Sequence, residues 1–178
     1  MKNFDAIIGI DPGAAGGIAY SHNGIVKCVK MPKDLNDILQ LINYLKTIST
    51  PIVFIERLTI RPDDVSVQGA KANMGKMYRI QKMMQSFEHL KALMEVSDVP
   101  YCLVTPMKWQ SGLRVKGEEK ADRKRRFKNM AAQLYPEIKP TLWNADALLI
   151  MRFGINAIEN EPKWMKEHIN ERKKSLFS

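Results

Sequence analysis

Three carboxylates stand where apolar segments stop or run on around them. Asp11 closes the run Ala6-Ile7-Ile8-Gly9-Ile10 and is followed at once by Pro12-Gly13. Glu56 closes a second run, Pro51-Ile52-Val53-Phe54-Ile55. Asp146 lies inside the stretch from Leu142 to Met151, where an unpaired charge is costly to bury. It needs either a surface position or a cation, and we favour the cation. Oxygen donors of this kind suit Mg²⁺ or Mn²⁺. Phosphodiester hydrolysis uses such ions in pairs roughly 3.5 to 4 Å apart, one activating water and the other stabilising the leaving oxygen.

The elements that must bring these acids together can be read in order. The apolar run into Asp11 resumes after Gly16-Gly17 as Ile18-Ala19-Tyr20, which predicts a hairpin with Asp11 at the tip of its first strand. His22-Asn23-Gly24 is the next turn and Ile25 to Met31 a third strand, making a meander. Asp34 caps a helix to about Ile48, with Leu35, Ile38, Leu41, Ile42 and Leu45 near helical spacing. Ser49-Thr50-Pro51 stops it. The continuously apolar run into Glu56 is the pattern of a buried parallel strand. Paired in parallel with the first strand, it sets Asp11 and Glu56 at the same sheet edge.

Residues 57 to 72 read as a loop, and Met74 to Val96 as a long helix with Met77, Ile80, Met84, Phe87, Leu90 and Met94 on one face. A fifth strand covers Tyr101 to Thr105, a short helix begins at Met107, and a charged loop spans Ser111 to Ala121. A basic helix from Asp122 to about Tyr135 ends at Pro136, and a final apolar helix runs from Leu142 to about Ile158.

Composition limits the function classes. With 178 residues, 45% hydrophobic and a mean hydropathy of -0.28, the chain is expected to form one domain over residues 1 to 158 with a charged helical tail over 159 to 178. No apolar run reaches membrane-spanning length and the start lacks a signal-peptide pattern, so a cytoplasmic protein is expected, in the host cytoplasm if it is viral. Cys28 and Cys102 sit in strand-like runs and are expected to be reduced core thiols. His22, His89 and His168 are scattered, which leaves oxygen to hold any metal.

The net charge of +9 is concentrated in two segments. Residues 57 to 91 hold seven Lys/Arg against three acids, and residues 114 to 128 hold eight against three. Such a distribution predicts a surface for a polyanion, nucleic acid first. The named contributors are Arg57, Arg61, Lys71, Lys76, Arg114, Lys116, Lys120, Arg123, Lys124, Arg125 and Arg126, expected to touch phosphates and not bases.

The order of these pieces resembles the RuvC-like Holliday junction resolvases of the RNase H superfamily. The matching segments are Gly9-Ile10-Asp11-Pro12-Gly13, Val53-Phe54-Ile55-Glu56, Val104-Thr105-Pro106 with Lys108-Trp109, and Ala145-Asp146-Ala147-Leu148. The resemblance implies an α/β fold with a mixed five-stranded sheet flanked by helices, the first three strands antiparallel. It also implies two Mg²⁺ or Mn²⁺ ions held by the catalytic acids Asp11, Glu56 and Asp146, basic catalytic residues at Lys116 and Lys120, and a homodimer acting on branched DNA. The apolar face of the Met74-to-Val96 helix is the expected dimer interface.

One position departs from the family pattern. A further acid or histidine usually stands about one helical turn before the last aspartate, and here that residue is Trp143. Either three carboxylates with Asn144 suffice, or a second ion is weakly held. A non-catalytic nucleic-acid-binding relative is therefore the alternative. A P-loop is excluded because the glycine-rich start lacks its Lys-Ser/Thr, and the chain is too short for the two lobes of an actin-like ATPase.

Overall fold

The computed structural model describes residues 3–60, 74–113, 115–160 and 163–165. It contains strands β1 (Ala6–Asp11), β2 (Gly17–His22), β3 (Ile25–Lys30), β4 (Pro51–Glu56) and β5 (Tyr101–Val104). The α-helices are α1 (Leu35–Ile48), α2 (Met74–Val96), α3 (Pro106–Trp109), α4 (Lys120–Leu134) and α5 (Ala145–Asn160). The five strands form one mixed sheet in the order β3-β2-β1-β4-β5. β1, β2 and β3 pair antiparallel, while β4 runs parallel to both β1 and β5.

The expected register is observed. Ile10 stands opposite Ile55 in the β1–β4 ladder, so the next residues, Asp11 and Glu56, leave the sheet side by side. β4 reads as an unbroken apolar run because both of its faces are covered: Ile52, Val53, Phe54 and Ile55 are all fully buried. Val53 and Ile55 pack with Ile8, Ile10 and Ile18 against Ile38, Ile42 and Leu45 of α1 and Phe87, Leu90 and Met94 of α2. Ile52 and Phe54 pack on the opposite face with Trp109 of α3, Phe127 of α4, and Leu148 and Met151 of α5. The molecule is thus a helix–sheet–helix sandwich, with the acids at one edge of its middle layer.

Local chemistry explains the helix boundaries. Asp34 adopts an extended backbone and accepts a hydrogen bond from the Asn36 amide at 2.9 Å, the N-cap expected for α1. The last helix starts at Ala145 and not at Leu142. The Asn144 carbonyl oxygen Oδ1 accepts from the Thr141 amide at 2.7 Å and the Thr141 hydroxyl at 3.2 Å, which holds residues 141 to 144 in a turn. α4 begins two residues earlier than expected, placing Lys120 in its first turn.

α2 departs from its expected single buried face. Phe87, Leu90 and Met94 are buried, but Met77 is 47% and Tyr78 60% exposed. A 23-residue helix is about 34 Å long, whereas six-residue strands span about 20 Å, so its N-terminal half outruns the sheet. Cys28 and Cys102 are both free, and burial pushes each thiol up to about 12. Among the described residues, no helix is long and apolar enough to cross a membrane. The loop expected over residues 57 to 72 lies outside the described residues from Arg61 onward.

Candidate active site

Gly9 sets the distance between the sheet and the last helix. A Cβ at this position would lie 2.3 Å from the Met151 amide nitrogen and 2.5 Å from the Ala147 carbonyl oxygen, so α5 rests directly on the β1 backbone. Ala147 follows Asp146, and the close approach therefore delivers Asp146, in the first turn of α5, to the strand that ends in Asp11. Gly16 closes the hairpin in the same way, since a Cβ there would come within 2.2 Å of the Asp11 carbonyl oxygen.

The three acids feel one another. Burial, reinforced by the Asp146 charge and opposed by Lys124, raises the Asp11 carboxyl from 3.8 to about 6. Burial raises Glu56 from 4.5 to about 7, with Asp11 and Asp146 adding to the shift. Asp146 is raised by burial as well, against the charges of Lys124 and Arg123. Its side chain is 17% exposed and its Oδ2 lies 3.8 Å from Lys124 Nζ, an ion pair too long for a hydrogen bond. Carboxylates held in partial burial at one edge resist ionisation and favour a cation between them.

The carboxylate oxygens are donors of the kind a hard divalent cation takes. In the present side-chain positions, no three acid, histidine or cysteine groups among the described residues converge as a ligand set. Like charges buried beside one another have reason to splay. Asn144 adds nothing readily to the set, because its side-chain oxygen is engaged by Thr141 and the residue is buried. Trp143, in the turn before α5, lies against β2: a Cβ on Gly17 would meet its ring at 2.9 Å.

The basic residues named from sequence separate into several environments. Lys124 belongs to the acid cluster. Arg126 forms a two-pronged pair with Glu118, with Nε at 2.7 Å and Nη2 at 2.6 Å, which ties the preceding loop to α4. Arg125 is 3.5 Å from Asp122 on the same helix. Arg57 is exposed directly after Glu56 and its amide donates to the Val104 carbonyl at 2.7 Å, prolonging the β4–β5 ladder. Lys116 and Lys120 are exposed, and theirs are not among the charges that shift the three acids. Arg61, Lys71, Arg114 and the side chain of Lys76 lie outside the described residues.

Sequence reading misses the place of Lys124 and the part Trp109 plays. Lys124 precedes the buried Phe127 and Ala131 by three and seven residues, the spacing of a core-facing stripe, yet the run of cations around it reads as solvent-facing. Trp109 is buried against Phe127, their rings 5.4 Å apart, and its indole Nε1 makes no hydrogen bond of good geometry. The same N–H lies near enough to Glu56 to favour the charged carboxylate.

No protein-family model matches the chain, and no curated protein is significantly similar to it. Solved structures do resemble it. Thermus thermophilus RuvC in complex with a Holliday junction substrate superposes with a TM-score of 0.53 at 15% identity, covering 87% of this chain and 95% of that one. Its fold is the RuvC fold. A second T. thermophilus RuvC structure gives a TM-score of 0.51, again at 15% identity, over 88% of this chain and 96% of the other. The RuvC fold accounts for the mixed five-stranded sheet and its flanking helices, and agrees with the expectation drawn from the short motifs.

Proposed function

We propose that this RuvC-fold chain is a divalent-metal-dependent endonuclease that resolves four-way or otherwise branched DNA by paired phosphodiester cleavage. The observation that carries this reading is the placement of Asp11 and Glu56 at adjacent strand ends with Asp146 in the first turn of α5, where burial raises all three and the Asp146 charge adds to the shifts of the other two. A surface evolved only to bind a polyanion gains nothing from three half-buried acids. The likeness to a RuvC bound to a Holliday junction supports branched DNA as substrate.

In this reading the three acids hold Mg²⁺ or Mn²⁺, and a bound pair of ions supplies an activated water and charge stabilisation at the leaving oxygen. Asp11, on the strand between β2 and β4, would supply carboxylate oxygens to the ions. Lys124 offsets acid charge in the free site and is available to the scissile phosphate. Phosphate contacts by Arg57, Arg123 and the exposed Lys116 and Lys120 hold the DNA, and binding weakens steeply with salt. Arg126 is omitted because Glu118 occupies its guanidinium. A homodimer places two such sites about a two-fold axis, and the exposed start of α2, with Met77 and Tyr78, is its proposed contact.

Trp143 favours the competing reading, a binding protein without catalysis, because it cannot ligate an ion. Purified protein incubated with four-way junction, fork and linear duplex in Mg²⁺ or Mn²⁺ separates the two. Symmetric nicks in the junction, with linear duplex spared, are expected. Tight junction binding without cleavage in either ion would establish the binding protein instead.

The indole of Trp109 gives a narrower test. Trp109→Phe keeps a ring against Phe127 but deletes the donor that faces Glu56. Because this N–H makes no hydrogen bond of good geometry, its loss should cost less than the ~1.5 kcal/mol of a full bond to a charged group, and ion binding should weaken by about threefold while thermal stability changes little. Calorimetric Mn²⁺ titration measures it, and an unchanged affinity would leave Trp109 as core packing alone.

A further inference from the structure

A groove of about 760 Å³ opens beside the Pro12–Gly13 turn, between the end of β3 and helices α1 and α2. It lies on the α1–α2 side of the sheet, opposite the face covered by α4 and α5. Pro12, Ile38 and Leu90 form an apolar floor, and Lys30, Lys33 and His89 stand along the exposed rim. The acid in the lining, Asp34, is committed to the Asn36 amide as the α1 cap.

Strand register fixes the relation between this groove and the acids. Lys30 stands opposite Gly17 in the β2–β3 ladder, and Gly17 stands opposite Asp11 in the β1–β2 ladder. At about 4.8 Å between neighbouring strands, the Lys30 backbone lies roughly 10 Å from that of Asp11 along the same edge. Pro12 and Gly13, which line the groove, follow Asp11 directly in the chain, so one end of the groove begins next to the candidate active site.

We infer that this groove binds a single strand of DNA leaving the acid cluster, with phosphates on Lys30 and Lys33 and sugars and bases against the apolar floor. The inference rests on the nuclease reading for the direction of the strand, though not for the chemistry of binding. Charge selects the class of ligand: a cationic rim above an apolar floor matches a chain that alternates phosphate with flat apolar rings. Size selects its form. The volume falls in the ~300–1,000 Å³ range of small-ligand sites, whereas duplex DNA has a major groove alone ~12 Å wide. A branched substrate offers unpaired nucleotides next to the crossover, which is where a strand entering this groove would come from.

The test measures binding of a short fluorescein-labelled oligothymidine by anisotropy, without divalent metal, across a salt series. The double variant Lys30→Ala/Lys33→Ala should bind about tenfold more weakly, and its log–log salt slope should fall by about 1.4, two single-strand contacts at ~0.7 each. Ser86→Trp, which places bulk at the exposed rim without altering charge, should weaken binding by a similar factor and leave the slope unchanged. Normal affinity in both variants, with circular dichroism of wild-type amplitude, overturns the proposal. So does a Ser86→Trp variant that changes the sedimentation coefficient but not oligothymidine binding, since the occupant is then a second copy of the chain. Junction cleavage by the wild type is scored separately: its absence with oligothymidine bound normally defeats the nuclease reading, not the groove.

Discussion

Asp11→Asn is expected to lose junction cleavage by about 10³-fold or more, and at the same time to make the metal-free protein more stable at pH 8. The first effect follows from removing a ligand charge at the centre of the acid cluster, where a loss of about 4 kcal/mol of transition-state stabilisation corresponds to that factor. The second follows from linkage. The folded-state carboxyl is raised from 3.8 to about 6, so its contribution to stability is fully present below pH 3.8 and is lost as pH rises through 6. Above that range, ionising the buried Asp11, with the Asp146 charge nearby, opposes folding by up to about 3 kcal/mol at ~1.4 kcal/mol per pH unit. Coupling to Glu56 and residual solvent access reduce the gain expected from the neutral amide to about 2 kcal/mol, or roughly 4 to 8 °C in Tm for a chain of this size.

Thermal melts in chelator at about pH 3.5 and pH 8 check the sign: Asp11→Asn and wild type should converge below the unfolded carboxyl value of 3.8 and separate at pH 8. Added Mn²⁺ should raise the wild-type Tm at pH 8 and leave the variant nearly unmoved. A variant less stable than wild type at pH 8 in chelator would mean that Asp11 is held by favourable contacts and is not strained by its neighbours. Cleavage at the wild-type rate would remove Asp11 from the chemistry altogether.

Asp11, Glu56 and Asp146 were legible in the sequence because each is a charge at a place where the apolar pattern forbids one without a reason. β4 was legible because an apolar run covered on both faces has no polar side to disguise it, and its parallel pairing with β1 then fixed the edge at which two acids appear. The basic helix was harder to read. Six of its residues between Lys120 and Lys128 are cations, and composition assigns them one common solvent-facing role. Three-dimensional packing divides them: Lys124 turns with Phe127 and Ala131 toward the acids, Arg126 closes on Glu118, and Arg123, half-buried, adds its charge to that of Lys124 on Asp146. Periodicity alone could have separated Lys124, but a lysine on a core-facing stripe more often runs its stem along apolar surface than pairs with a half-buried carboxylate such as Asp146. The start of the last helix was misread for a related reason. Leu142 and Trp143 continue the apolar run, yet the Asn144 side chain satisfies Thr141 and delays the helix by one turn, a competition between side chain and backbone that hydrophobic pattern does not register.

Replacing Lys124 by Met is the second change expected to have a large effect. The Lys124 charge lowers each of the three acids from where burial, joined by repulsion for Asp11 and Glu56, would otherwise set them. Its removal should therefore raise all three and leave the site more protonated at neutral pH. Ion binding, which needs the charged carboxylates, should shift its midpoint to higher pH. Cleavage at pH 7 should fall by about 10²-fold, the scale of losing one well-placed electrostatic group, and should recover in part as pH rises. Lys124→Arg retains the charge and should keep the wild-type pH profile with a smaller loss of rate. Arg57→Ala provides the contrast, since an exposed residue whose charge is not among those shifting the acids should weaken DNA binding and lower the salt slope by about 0.9 without moving the pH profile. Cleavage assays over a pH series with saturating junction distinguish the two roles. If Lys124→Met cuts at the wild-type rate with an unshifted profile, the ammonium beside Asp146 is a surface charge that happens to lean inward, and the acids must be balanced by the ions alone.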